Sequence, residues 1–487
     1  MQSPTVYVVD DDPEVLRATE RLLASASMAV AAFQSPRAFL ESYDDRTPGC
    51  LVLDLAMPEL NGVELLWSGW PSARACPRSM RTVDSGSRSA ASARPTSGGP
   101  GILIVAAEAS SALYARRLLE HWQRQQERVE AFGVGSREME ALGFEILGRS
   151  EDMAVIGLIE VLRHYRDLRT VFRTLVEEAR RRRPKVILLM DYPGFNLRLA
   201  QALKPLGIPI VYYISPQVWA WRKSRVRTIK KLVDKMLCVL PFEKEFYRQH
   251  AVDVEFVGHP LIDEIDPVLF HPEERQRLRS RYGVAAGERV VGLMPGSRSS
   301  EIHHHLHTQL RAAEILHERY PALKFALLVA PTFELDQMKE LVPGSTVPLL
   351  FIKDEPLKMV SLTDLVLCAS GTATLVVGLM HRPMVIMYRI NALSARLARW
   401  IVNGTTHFGL VNLILERRAV PELFQEEAAP QRLADELARY IEDYGHLKKT
   451  ESELMKIRDR LGPGGATQRV AKILEAYLFP GLDRVAG

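Results

Sequence analysis

The sequence predicts an α/β protein: two doubly wound parallel-sheet domains facing a cleft, with an incomplete α/β segment in front. Three observations predict it. Strand-like apolar runs recur between helical segments from Ile102 onward, and they fall into two series. The runs are continuously apolar rather than alternating, as expected of parallel strands covered on both faces. Between Trp67 and Gly101 the chain is rich in Ser, Arg, Ala, Pro and Gly without apolar periodicity, which sets residues 1–66 apart from the rest.

A chain of 487 residues holds two or three domains with cores of their own. Apolar content of 47% and charged content of 25% are those of a soluble globular protein, and a net charge of +4 is too mild to suggest nucleic acid. No apolar run reaches the roughly 18 residues that a spanning helix needs. Acids occupy the start, MQSPTVYVVDDD, where a signal peptide has its apolar core, so no export is expected. Cys50, Cys76, Cys238 and Cys368 are scattered without C-x-x-C spacing. Neither a zinc site nor a disulfide framework is expected, and a reducing cytoplasm fits.

In the front segment, the apolar run Val6–Val9 ends in Asp10, Asp11 and Asp12, and a helical stretch runs from Pro13 to Ala26. A second strand candidate, Cys50–Leu53, ends at Asp54, followed by Met57-Pro58 and Asn61-Gly62. Acids at the carboxyl ends of neighbouring parallel strands converge on one rim, where they can hold a divalent cation and one can accept a phosphoryl group. The acidic triplet and the LVLDLAMPELNG segment resemble a response-regulator receiver domain of flavodoxin-like fold. The resemblance makes Asp54 the phosphoacceptor, with Asp11 and Asp12 beside it. It covers about half of such a domain, because the later strands with their switch hydroxyl and lysine have no counterpart after Leu66. Residues 1–66 are therefore expected to be a truncated, non-signalling receiver fragment. Residues 67–101 are expected to be a disordered linker, too poor in apolar surface to offset ordering entropy.

The first later series, within 102–270, comprises Ile102–Ala106, Val186–Met190, Ile210–Ile214, Met236–Leu240 and Val254–Val257. The second, within 271–475, comprises Val290–Met294, Phe325–Val329, Leu349–Ile352, Leu365–Cys368 and Met384–Tyr388. They separate near Asp263–Arg279, which gives two Rossmann-like domains, with the last helices free to pack back on the first. No 20–50-residue period repeats, which argues against a solenoid.

Chemistry concentrates where strands end. After Met294 come Pro295, Gly296, Ser297 and Arg298, then Glu301 in a helical stretch. Backbone N–H groups at that helix start can cradle a phosphate, and Arg298 adds a charged fork. Ser370, Gly371 and Thr372 form a second such turn. Together the turns can grip a pyrophosphate and its sugar. In the first domain Glu108, Asp191 and Ser215 each follow a strand and share one rim. Asp191 and Glu108 are candidates to take a proton from an attacking hydroxyl.

These motifs resemble the lipid-A-disaccharide synthase family of GT-B glycosyltransferases over residues about 102–475. The matching strings are Glu108-Ala109-Ser110, Glu151–Gly157, DYPGFN at Asp191–Asn196, SPQVWAWR at Ser215–Arg222 and LPFEKEFY at Leu240–Tyr247. They continue with Val257-Gly258-His259-Pro260, LMPGSRSSEI at Leu293–Ile302, ASGTATL at Ala369–Leu375, MYRIN at Met387–Asn391, and Asn412 with Pro421-Glu422. The resemblance implies a metal-independent, cofactor-free, inverting transfer. A diacylglucosamine unit passes from UDP-2,3-diacylglucosamine to the 6-hydroxyl of 2,3-diacylglucosamine 1-phosphate (lipid X), giving the β-1,6 disaccharide 1-phosphate and UDP. It implies Asp191 as base or base-orienting acid, with Glu108 beside it, and Arg298 on the departing diphosphate. Ser110, Asn196, Ser215, Gln217, Trp219, Arg222, His259, Gly296, Ser297, Glu301, Ser370, Gly371, Thr372 and Asn412 are the implied substrate-binding positions. Two departures stand out. The first loop lacks the family's glycines, reading Ala107-Glu108-Ala109-Ser110-Ser111-Ala112, and Val376 replaces a glutamate of the ribose-binding kind. Either another acceptor, Asn412 or a backbone carbonyl, then binds the ribose, or nucleotide affinity is lower, or activity is altered.

Acylated substrates imply work at a membrane surface. The apolar stretch Met153–Leu162 is too short to span, and Arg163, Arg166, Arg169, Arg173 and Arg180–Arg183 follow it. A second basic stretch, Asn391–Val402, carries Arg396, Arg399 and Trp400. An acyl groove and anionic-lipid contacts are expected, on the cytoplasmic side of a Gram-negative inner membrane. Nucleic acid is not an expected partner, and the oligomeric state is open, a homodimer included. His303, His304, His305 and His307 are expected on a solvated helix face rather than around a metal. Alternative readings are another GT-B UDP-sugar enzyme such as a UDP-GlcNAc epimerase, an inactive lipid-binding relative, and a receiver-regulated signalling protein.

Overall fold

The computed structural model describes residues 5–25, 28–43, 49–53, 99–153, 158–218, 225–342, 346–389, 407 and 409–481. The chain divides into two compact units, Met1–Lys235 with Ala471–Gly487, and Met236–Val470. Asp54, Trp219, Arg222, the apolar stretch 154–157 and the basic stretch 391–402 lie outside the described residues.

The front segment runs β1 (Thr5–Val9), α1 (Pro13–Ser25), β2 (Ala29–Phe33), α2 (Pro36–Ser42) and β3 (Gly49–Leu53). Its strands pair in parallel in the order β2-β1-β3. That is the opening of the 2-1-3-4-5 order of flavodoxin-like sheets. Tyr7, Val9 and Phe39 form its small core. The Tyr7 and Phe39 rings meet edge to face at 5.7 Å. Asp12 accepts from the Val15 N–H at 3.4 Å, while its own N–H donates to Asp10 Oδ1 at 2.9 Å.

The next stretch contains β4 (Gly101–Ala106), α3 (Ala109–Arg124), β5 (Glu130–Gly135), α4 (Arg137–Ala141), β6 (Glu145–Arg149), α5 (Ser150–Met153) and α6 (Leu158–Arg182). It continues through β7 (Val186–Met190), α7 (Pro193–Leu203), β8 (Ile210–Tyr213), α8 (Val226–Leu232), β9 (Lys235–Cys238), α9 (Pro241–Gln249) and β10 (Val254–Phe256). These strands make one sheet in the order β10-β9-β8-β7-β4-β5-β6. Every side chain of β7 and of Ile102–Ala106 is at 0% exposure, which is why those strands read as unbroken apolar runs. Each such aliphatic side chain contributes about 1.5–3 kcal/mol of burial.

The second unit carries α10 (Pro272–Arg281), β11 (Val290–Met294), α11 (Ser299–Arg319), β12 (Lys324–Leu328), α12 (Leu335–Glu340), β13 (Leu349–Ile352) and α13 (Pro356–Leu362). There follow β14 (Leu365–Ala369), α14 (Ala373–Leu379), β15 (Met384–Tyr388), α15 (Leu410–Leu415), β16 (Glu422–Phe424), α16 (Pro430–Glu442) and α17 (Tyr444–Leu461); α18 (Ala466–Leu478) starts in this unit and continues into the stretch from Ala471 that belongs to the first. The parallel order is β13-β12-β11-β14-β15-β16. The sheet reverses direction of growth at β11 and β14, and such switch points are where ligands bind in open α/β sheets. Among the described residues no helix is long and apolar enough to cross a membrane.

Candidate active site

In the first sheet, β4, β7 and β8 are parallel neighbours, with Ala106 opposite Met190 and Met190 opposite Tyr213. Residues just beyond these positions emerge on one rim, which brings Glu108, Asp191 and Ser215 to adjacent strand exits. Asp191 and Tyr192 both sit in the left-handed region, at φ +47° and +44°. Such backbone costs roughly 1–3 kcal/mol per residue and persists only when surroundings hold it. Here the Asp191 N–H donates to the Tyr213 carbonyl at 3.1 Å. The Asp191 carbonyl accepts from Asn196 Nδ2 at 2.7 Å and from the Tyr212 hydroxyl at 2.5 Å.

Asn196 is fully buried and also donates to the Met190 carbonyl at 3.0 Å. The structure therefore places it beneath Asp191 as a brace. Glu108 caps α3, and its N–H is taken by the Ser111 hydroxyl at 3.0 Å. Ser110 is half-buried on the first turn of that helix, and Gln217 is exposed. Ser215 is buried, and its hydroxyl has no hydrogen-bond partner among the described residues. His259, just past β10, accepts from the Leu261 N–H through Nδ1 at 3.2 Å. Burial lowers its pKa to about 4, so it is neutral with its proton on Nε2.

In the second unit β11 and β14 are direct neighbours, with Met294 opposite Cys368. Their exits carry the two glycine turns side by side. Gly296 sits at φ +134°, and a Cβ there would come within 2.4 Å of Glu301 Cβ. Only glycine lets the chain turn this tightly into α11. Glu301 Oε2 accepts from the Ser297 N–H at 2.8 Å, and its Oε1 lies 4.0 Å from Arg298 Nη1. Thr332, past β12, donates to the Ser297 carbonyl at 2.8 Å. Gly371 is at φ +152°, and Thr374 Oγ1 donates to its carbonyl at 2.7 Å. Gly371 and Thr372 are exposed and Ser370 is half-buried, so the second turn presents its backbone to solvent. Buried Cys238 and Cys368 have thiols pushed upward by burial and contribute no thiolate. Among the described residues no cluster of three metal-binding side chains occurs.

Asn412, an expected substrate contact, turns out to be interior, and so does Val376. Asn412 is fully buried: its Oδ1 accepts from the Ala419 and Val420 N–H groups at 2.7 and 3.0 Å, and its Nδ2 donates to Val420 O and Glu422 Oε1. Its side chain organises the link from α15 to β16 and has little capacity left for a ribose. Val376 is buried on α14. The histidine run also differs from a uniformly solvated face. His303 and His307 are exposed, but His305 is only 1% exposed and bridges two strand exits. It lies on the buried face with Ile302 and Leu306, so helical periodicity could have placed it inside. Tyr212, Thr332 and His305 escaped the motif reading because they act on backbone carbonyls and N–H groups.

The same architecture occurs in solved structures of low sequence similarity. UDP-GlcNAc 2-epimerase from Neisseria meningitidis bound to UDP-GlcNAc aligns with a TM-score of 0.54 at 11% identity, over 77% of this chain and 98% of that one. The S. aureus MnaA–UDP co-structure aligns at 0.55 and 12% identity, over 78% and 97%. The fold is of GT-B architecture, and the family matches make the chain a glycosyltransferase of that architecture. The family model for lipid-A-disaccharide synthetase matches residues 102–473. Lipid-A-disaccharide synthase of Geobacter metallireducens is 38% identical over 373 residues, covering 77% of this chain and 96% of the relative. That of Anaeromyxobacter dehalogenans is 42% identical over 372 residues, covering 76% and 96%. The chain belongs to the lipid-A-disaccharide synthase family. A second family model, the response regulator receiver domain, matches residues 6–85.

Proposed function

We propose that residues 102–473 transfer diacylglucosamine from UDP-2,3-diacylglucosamine to lipid X with inversion, releasing UDP. The acceptor's 6-hydroxyl oxygen bonds to the donor's anomeric carbon as the bond from that carbon to the diphosphate breaks. UDP leaves with the electron pair, and the hydroxyl proton passes to the carboxylate of Asp191, whose backbone is held at the β7 exit. Glu108 is the second carboxylate of that rim. The β11 and β14 turns hold the diphosphate, with the α11 N-terminus and Arg298 stabilising the charge that develops on it. The observation that carries this reading is the adjacency of the two glycine turns, within a region whose family membership is shown.

Ser215 supplies a buried hydroxyl with no hydrogen-bond partner among the described residues, which a sugar hydroxyl can satisfy. Docking on the cytoplasmic face of the inner membrane is supported by exposed Arg169, Arg173, Arg180 and Arg183 along and just beyond α6. Anionic vesicles should retain the protein in a salt-sensitive manner, and equal retention by neutral vesicles would remove that part. The transfer is tested by UDP release with each lipid alone and with both. Release only with both supports it, whereas donor turnover without acceptor indicates an epimerase-like activity.

A further inference from the structure

We propose that His305 is a positioning residue for the donor diphosphate, tying the phosphate turn after β11 to the chain leaving β15. The inference rests on reading the β11 and β14 turns as the diphosphate cradle.

His305 lies two turns into α11 from Arg298, with its ring directed at two backbones. Nδ1 is 2.9 Å from the Pro295 carbonyl, to which a ring N–H there donates. Nε2 is 3.1 Å from both the N–H and the carbonyl oxygen of Arg389. Pro295 immediately precedes Gly296 and Ser297, and Arg389 immediately follows β15. One ring therefore fixes both a cradle residue and the strand exit on the far side of β14, in the order β11-β14-β15.

The same helix face repeats this arrangement. Gln309 Nε2 donates to the Met294 carbonyl at 3.2 Å, and Thr308 Oγ1 accepts from Arg389 Nη1 at 2.8 Å. His305, Thr308 and Gln309 follow i, i+3, i+4 spacing, so one buried polar stripe holds the end of β11, the turn and Arg389 together. A core that needed only filling would use apolar residues here, since each buried polar group must be matched.

The substitutions separate the two bonds. An asparagine amide reaches about as far as Nδ1 and can keep the donation to Pro295. A glutamine amide reaches about as far as Nε2 and can keep the link to Arg389. Leucine keeps bulk and loses both. UDP binding is measured by calorimetry, with donor KM, acceptor KM and kcat from steady-state assays. The expected result is UDP affinity and donor KM worsened about tenfold in His305→Leu, with His305→Asn retaining more affinity than His305→Gln and acceptor KM unchanged in all three. Wild-type UDP affinity equal to that of His305→Leu overturns the inference while leaving the cradle reading intact. Equal losses in all three variants, alongside equal falls in Tm and a raised acceptor KM, overturn it in favour of a purely structural role. A wild-type protein that binds no UDP removes the cradle reading itself, and the inference with it.

Discussion

The side-chain amide of Asn196 donates to the backbone carbonyl of Asp191 at 2.7 Å, holding the carboxylate-bearing residue in a left-handed conformation at the end of β7. The contact uses backbone atoms of Asp191, so changing its carboxylate should leave the brace in place. Asp191→Asn is expected to lower kcat by roughly 10²–10⁴-fold with UDP affinity unchanged, the usual scale for a lost general base. Asn196→Ala is expected to lower kcat and also to destabilise the fold by about 1–3 kcal/mol, because buried carbonyls lose their donor. Steady-state kinetics with urea denaturation separate the two. Full activity in Asp191→Asn would remove it as the base.

Gly296→Ala forces a Cβ against Glu301 at a φ that disfavours any side chain. The expected cost is about 1–3 kcal/mol of local strain, appearing as weaker UDP binding. Calorimetry checks it, and undiminished affinity would show that this turn does not shape the cradle.

His259 gives a pH dependence of definite sign. Its folded pKa of about 4 lies below the ordinary value of 6.5, so between those values the unfolded chain binds more protons. Stability is then fully present above pH 6.5 and is lost as pH falls toward 4, at up to about 1.4 kcal/mol per unit. His305 is shifted downward by burial too and adds in the same direction. His259→Asn, whose carbonyl can still accept from Leu261, should flatten the slope measured by urea denaturation across this window. An unchanged slope would contradict the assignment.

Asn412→Ala is expected to unfold more readily, by about 2–4 kcal/mol, since it strands several buried backbone groups at once. Its donor KM should rise no more than that instability explains. A large rise in KM with unchanged Tm would instead mark Asn412 as a ribose contact.

Long central strands were legible because burial on both faces leaves an uninterrupted apolar signature. Val186–Met190, Val290–Met294, Leu349–Ile352 and Met384–Tyr388 match their observed strands residue for residue. The strands absent from that reading lack the signature. β2 is alanine-rich, β5 carries two glycines, β6 is an edge strand flanked by charge, and β16 has three residues. The motif residues at strand exits were legible for the same reason that the strands were, since Glu108, Asp191, Gly296 and Gly371 each follow an apolar run. What sequence could not distinguish was a side chain facing a ligand from one facing backbone. Asn196 and Asn412 read as binding residues and prove to be braces or fillers of backbone valence. His305 read as surface and proves to be interior.

The front segment and the synthase region make separable claims, since relatives are matched over 96% of their length by 77% of this chain. A protein beginning at Gly99 is expected to keep full transferase activity, and acetyl phosphate with magnesium should leave activity of the whole chain unchanged. Loss of activity on removing residues 1–98 would make the receiver-like segment a working part of the enzyme.

The central claim is tested most directly by incubating the purified full-length protein with UDP-2,3-diacylglucosamine and lipid X and analysing the product by mass spectrometry and proton NMR. The account predicts a tetraacyl disaccharide 1-phosphate with a β-1,6 linkage, formed in step with UDP and lost in Asp191→Asn. Folded, UDP-binding protein that yields no disaccharide, or that yields an α-linked one, would contradict it.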